Sequence, residues 1–186
     1  ATWAELGFDS ALSASAAATN IAKVTVANSL LAYPDLEGVR GFQVTEIAGT
    51  DAITSAEHAG RILLLGEVGG NADVVLTLPD ATGTGHVYEF IVTVTMASNT
   101  YKIACPDAAN VINGTMKNMD LDGTAQTIFS TVAASDTITL NGGTQGGQVS
   151  DTLTLIDIAA NLWHVEGQMR TPAGANTATP FSEAVS

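Results

Sequence analysis

The chain has 186 residues, 46% of them hydrophobic and only 13% charged, with nineteen acidic against six basic residues and a formal charge of −13. That length accommodates one domain with a real core plus an extension, and it excludes two large domains. Binding to a phosphate backbone requires clustered cations, whereas Lys23, Arg40, Arg61, Lys102, Lys117 and Arg170 each stand without a basic neighbour, which argues against a nucleic-acid partner.

Charged residues are about half the ~25% of an ordinary soluble domain, and threonine alone occurs 24 times. A surface so poor in lysine and glutamate resists association weakly, so an obligate assembly is expected, with other protein covering much of it. Cys105 is the only cysteine. Neither an intrachain disulfide nor a thiolate metal cluster can form, and a buried small side chain is expected there. No run of about 18 apolar residues occurs, and the opening ATWAELGFDS lacks the basic-then-apolar order of a secretory signal. The expectation is a chain made in a reducing cytosol, after loss of an initiator Met, with no membrane contact.

Residues 1–40 are rich in Ala and Ser, and ALSASAAATNIAKV carries no period of 2 and only a weak helical stripe. An extended or partly helical arm is expected. Alanine favours helix and Asp9 or Ser10 would cap one, but Thr19, Thr25 and Val26 oppose its continuation. The apolar anchors Trp3, Leu6, Phe8, Leu30, Leu31 and Tyr33 are too sparse to close a core, so the arm is expected to pack on something else.

From residue 41 to 186 the pattern turns to β. Runs rich in Val, Ile, Thr and aromatics recur at 41–47, 61–67, 73–78, 86–95, 100–105, 124–132, 136–141, 149–158 and 162–168, between Gly, Pro, Asn and Asp punctuation. Such spacing predicts an all-β domain, a sandwich or jelly roll. In HVYEFIVTVT, Tyr88, Phe90, Val92 and Val94 share one face. RILLLGE is apolar on both faces at Ile62, Leu63, Leu64 and Leu65. That strand is expected to be covered twice, by its own sandwich and by a neighbour or the arm.

Several segments invite a chemical reading and are better explained as turns. Gly142 to Gly147 contains four glycines, but strands flank it on both sides and no cation follows, so it lacks the helix N-terminus and Lys of a phosphate loop. NMDLDGT places Asn118, Asp120, Asp122 and Gly123 where a calcium loop has its first ligands, yet Phe129 occupies the twelfth position, where a bidentate Glu is required. An acidic turn is expected. GTGH at 83–86 lacks the third glycine of a dinucleotide fingerprint and reads as a hairpin turn. Asn113-Gly114-Thr115 matches a glycosylation acceptor without a secretion signal beside it.

Catalytic candidates are confined to His58, His86 and His164. His164 has the opposite parity to Trp163 and Val165, which places it on a polar face beside Glu166. No HExxH, GxSxG or Cys–His spacing occurs, so an enzyme is not expected, and no cofactor or metal is called for.

The series TSAEHAGRILLLGE, VVLTLPDATGTGHVYEFIV, SNTYKIACPDAANVINGT and SDTITLNGGTQGGQVSDTLTLIDIAANLWHVEGQ, ending in ATPFS, resembles a recurrent family of tailed-bacteriophage head decoration or minor virion structural proteins. The resemblance spans residues 54–182 and does not include the arm. It implies a capsid decoration, or cement, protein, a jelly-roll-like β-sandwich that trimerises on the outer surface of an icosahedral shell and stabilises it by clamping major capsid subunits. In that setting Ile62, Leu63, Leu64 and Leu65 are candidates for the trimer interface, and the arm residues Trp3, Leu6, Phe8, Leu30, Leu31 and Tyr33 for contacts with the capsid or a neighbouring subunit. The alternative is a receptor- or glycan-binding module of a head fibre or tail, which would need exposed aromatic faces such as Trp163 and Tyr101.

Overall fold

The computed structural model describes residues 43–68 and 73–185. The arm anchors at positions 3–33 lie outside the described residues. What is described is all-β apart from one helical turn. In chain order the elements are β1 (Gln43–Ile47), β2 (Asp51–Ala52), α1 (Ser55–His58), β3 (Arg61–Leu65), β4 (Val74–Thr77), β5 (Val87–Val92) and β6 (Tyr101–Ala104). There follow β7 (Val111–Asp120), β8 (Gln126–Ser130), β9 (Thr137–Leu140), β10 (Thr152–Ala159), β11 (Leu162–Thr171) and β12 (Phe181–Ser182).

Seven strands form a large sheet in the order β1-β3-β5-β10-β11-β7-β8, and five form a small sheet in the order β12-β9-β6-β4-β2. The first six strands alternate between the two, so that β1, β3 and β5 pair in parallel in one sheet and β2, β4 and β6 in parallel in the other. A parallel neighbour needs a crossover, and here each crossover is a strand of the opposite sheet. The rest of the large sheet is mostly antiparallel, except that β11 runs parallel to β7. Jelly-roll connectivity, expected from the strand spacing, is therefore not what the pairing shows: a jelly roll is built of antiparallel Greek keys, and these sheets are mixed. Periodicity reports which residues share a face and carries no information about the direction of the neighbour.

The two sheets enclose one apolar cluster. From the large sheet come Leu63, Leu65, Tyr88, Phe90, Leu155, Trp163 and Val165, and from the small sheet Leu76, Tyr101, Ile103, Ile138 and Leu140. Alternation puts them there: in VYEFIV, Tyr88, Phe90 and Val92 are buried and Val87, Glu89 and Ile91 face outward. Val94, expected on the buried face, is 51% exposed because the strand ends at Val92. Tyr88 and Trp163 meet edge to face with ring centroids 5.5 Å apart, the preferred aromatic geometry.

Two elements have sequence signals of a different kind. Thr54 and Glu57 begin α1 as a capping pair: the Thr54 hydroxyl accepts the Glu57 amide at 3.3 Å and faces the Glu57 carboxylate at 3.5 Å. β7 lies where no strand was expected, since its sequence VINGTMKNMD is dense in Asn, Gly and Asp and its end overlaps the acidic turn expected at 118–124. Gly114 explains part of this. A Cβ there would stand 1.8 Å from the Val165 carbonyl oxygen, and its φ is +150°, so glycine marks a close approach of β7 to β11 instead of a strand end.

Candidate interaction surface

The outer face of the large sheet follows from register. Val44 lies beside Ile62, Glu46 beside Leu64, Ile62 beside Glu89 and Leu64 beside Ile91. At this end of the sheet the outward residues Val44, Ile62, Leu64, Val87, Ile91 and Ile156 make an apolar surface broken by Glu46 and Glu89. Val44 is 59% and Val87 38% exposed, and Ile62, Leu64, Ile91 and Ile156 are half-buried. Of the four leucine-rich positions proposed for a subunit interface, Leu63 and Leu65 are 0% exposed. They are core residues and offer nothing to a partner, because strand parity turns them inward; only Ile62 and Leu64 lie on the outer face.

The far end of the same face is different. On β10, β11 and β7 the outward side chains are Thr152, Thr154, Glu166, Gln168, Thr115 and Lys117. A shallow polar groove of about 560 Å³ runs along Lys117, Thr152, Gln168 and Arg170. Met119 is 42% and Ile128, on the outermost strand β8, 65% exposed. His164 lies in this face as its parity required, half-buried between Ile156 and Asn113.

The motifs that invited chemistry resolve as structure. Gly142 to Gly147 connects β9 in the small sheet to β10 in the large one, so it is a crossing between sheets and no hairpin. Its glycines are required by contact. A Cβ on Gly142, at φ +69°, would meet the Met96 carbonyl oxygen at 1.6 Å, and the Met96 amide donates to the Gly147 carbonyl at 2.9 Å. GTGH also links different sheets and is not a hairpin turn. In the acidic turn, Asp120 accepts the amide and hydroxyl of Thr124 at 3.0 and 3.2 Å, and Asp122 does so at 3.1 and 2.7 Å. These carboxylates close the β7–β8 turn, and among the described residues no cluster of metal-ligating side chains occurs. Cys105 is 2% exposed, and burial, with Asp136 and Asp107 nearby, pushes its thiol up to about 12. It is an inert packing residue.

His58 is buried with Nδ1 accepting the Thr54 amide at 3.0 Å and Nε2 3.8 Å from Asp51. It is the last residue of α1, tied back to the Thr54 N-cap, and lies between β2 and β3, whereas His164 is on β11. The Thr54 hydroxyl also lies 3.5 Å from Nδ1, so His58 stands between a hydroxyl and the Asp51 carboxylate, but its Nδ1 lone pair is taken by the Thr54 amide and the Thr54 hydroxyl accepts the Glu57 amide.

Sequence reasoning missed what the acidic residues do. Asp157, 3% exposed, accepts the amides of Thr82, Gly83 and Thr84 and the Thr84 hydroxyl at 2.9, 2.6, 3.1 and 2.7 Å. Burial alone would raise its carboxyl, but the Thr84 hydroxyl and these amides outweigh it and hold the group at about 2. Asp136 accepts the amides of Ala184 and Val185 and so holds the C-terminal segment. Asp151 accepts the amides of Gly147 and Gln148 and the Arg170 Nε. Glu67 accepts those of Ala97 and Ser98. Much of the acidity is therefore internal fastening of loops, and only Asp151, a few residues from the Gly147 and Gln148 amides it accepts, lies close enough in sequence for a local pattern to point to it.

No aromatic ring is exposed among the described residues: Tyr88, Phe90, Tyr101, Trp163 and Phe181 are buried and Phe129 is half-buried. Trp163 and Tyr101, which a sugar-stacking platform would have to display, are 1% and 0% exposed. No family model, curated protein or solved structure matches this chain. The fold and this surface stand on their own geometry.

Proposed function

We propose that the chain is a capsid decoration, or cement, protein of a tailed-phage head, which associates as a trimer on the outer surface of the shell and clamps neighbouring major capsid subunits. The observation that carries this reading is the apolar outer face at β1, β3 and β5, where Val44 and Val87 stand exposed beside Ile62 and Leu64. In a chain with 13% charged residues such a face favours burial against protein. The fastened loops supply a rigid body for that task, and the charge of −13 suits a surface that never meets DNA. The sequence resemblance points the same way.

Stabilisation of this kind needs no bond chemistry. A protein that binds the assembled shell and not its dissociated subunits lowers the free energy of the shell by mass action. The apolar residues Trp3, Leu6, Phe8, Leu30, Leu31 and Tyr33 are proposed to reach the shell or an adjacent copy. The glycan-binding alternative loses its main support with the burial of Trp163 and Tyr101.

The test is addition of the purified chain to heads stripped of it, followed by sedimentation and thermal challenge. Co-sedimentation with a raised rupture temperature is expected, lost on deletion of residues 1–35. A chain that stays in the supernatant, or binds without changing head stability, sinks the proposal.

A further inference from the structure

We propose that copies of this chain join head to tail through the two ends of the large sheet, the β1–β3–β5 end of one copy against the β7–β8 end of the next. This rests on the trimer reading above and names the surfaces that would make it. Contacts in a three-fold ring are heterologous, so each chain must present two unlike patches that fit one another. The large sheet does this.

Its outermost described strands are β1 and β8, each of five residues. β8 runs opposite to β1, since β1, β3, β5, β11 and β7 share one direction and β10 and β8 the other. With the rotation axis along the strands, β8 of one copy therefore meets β1 of the next antiparallel. β8, QTIFS, has neither a charge nor a proline to block its edge, and Ile128 on it is 65% exposed. Such an edge favours pairing with another strand.

Charge decides which strand. The outer face at the β1 end holds Glu46 and Glu89 among Val44, Ile62, Leu64 and Ile91. At the β8 end it holds Lys117 beside Met119 and Ile128, while on β11, two strands in from the edge, Arg170 is drawn onto Asp151 and Glu166 faces outward. In a chain of net charge −13 a self-contact must keep carboxylates apart. Pairing β1 with β1 would bring the two copies of Glu46 to one seam, and pairing β8 with β8 would bring together the two Lys117, each one strand in from its edge. The head-to-tail arrangement brings the opposite signs together around an apolar seam. Of the residues that carry the minority sign at each end, Arg61 has inward parity, Asp122 lies in the turn after β7, and Glu166 faces outward on β11, with β7 and β8 between it and the seam.

The experiment uses the full chain with Val44→Cys and Ile128→Cys, singly and together. Cys105 is buried and gives no background. After mild oxidation, the double variant should run as a covalent trimer on a denaturing gel without reductant, and each single variant as a monomer. Dimers from Val44→Cys alone would show a two-fold contact and overturn the proposal. Light scattering that finds trimers while the double variant fails to cross-link overturns these surfaces and leaves the trimer reading standing. Scattering that finds monomers removes both. As a second measurement, Lys117→Glu and Glu46→Lys should each weaken association by about tenfold and together restore most of it; no recovery in the double exchange counts against the pairing.

Discussion

Thr84 donates its hydroxyl to Asp157 at 2.7 Å, which ties the connection leaving the small sheet after β4 to strand β10 of the large sheet. The same carboxylate takes three successive amides, from Thr82 to Thr84. Replacing Asp157 by Ala removes the common acceptor of these donors, which belong to exposed residues and turn to water, so a loss of about 1–3 kcal/mol is expected in urea unfolding. Thr84→Val removes only one donor, and its cost should stay near ~1 kcal/mol.

Acid sensitivity follows from the same residue. The Asp157 carboxyl lies at about 2 in the fold against 3.8 for the free group. A depressed carboxyl contributes stability that is complete above its unfolded value and is lost as the pH falls toward its folded one. The contribution is about 2 kcal/mol, lost between roughly pH 4 and 2. Asp151 acts with the opposite sign, because burial raises its carboxyl despite Arg170 and the Gln148 and Gly147 amides, so protonation relieves it. Unfolding of the native chain and of Asp157→Asn across this range should show a gap that narrows with acid. A gap of constant size would mean that the carboxylate charge contributes nothing.

Two glycines with positive φ separate strain from collision. Gly60 has φ +69° and nothing within 4 Å of an added Cβ, whereas at Gly114 the added atom would lie 1.8 Å from the Val165 carbonyl oxygen. Gly60→Ala should cost about 1 kcal/mol, the ordinary penalty of a left-handed backbone. Gly114→Ala must push β7 from β11 and should cost several times more, by thermal unfolding.

Neighbouring leucines of β3 should behave oppositely. Leu63 is 0% exposed, and Leu63→Ala is expected to remove about 2–5 kcal/mol of stability. Leu64 faces outward, so Leu64→Gln should change stability by under ~1 kcal/mol and act on self-association instead, read by light scattering at fixed concentration. If Leu64→Gln unfolds the chain while leaving association intact in the folded fraction, the outer face is part of the domain's own core.

Face was legible in the sequence where strands alternate cleanly. Tyr88, Phe90 and Val92, or Trp163 and Val165 against His164, fell as their parity required. RILLLGE was legible only to the point of having two apolar faces; which leucines were already spent on the core depended on the sheet it joined. β7 was missed because its inner positions Asn118 and Asp120 are polar and buried: the Asn118 Nδ2 donates to the Thr171 hydroxyl, distant in sequence, and Asp120 accepts the Thr124 amide in the turn. β12 is two residues long and owes its place to pairing with β9. Pairing direction and the fastening of loops by Asp157 are long-range relations, and no local pattern encodes them.

Strand β11 lies between β10 and β7, yet it is the last long strand to leave the ribosome. Until residues 162–171 emerge, β7 and β10 each expose an open backbone edge toward the gap that β11 will fill. A nascent chain cannot close this sandwich progressively from its N-terminus. Closure comes as a late, single insertion after all ten preceding strands have been synthesised, and any truncation ahead of that strand leaves two edges available to the wrong neighbour.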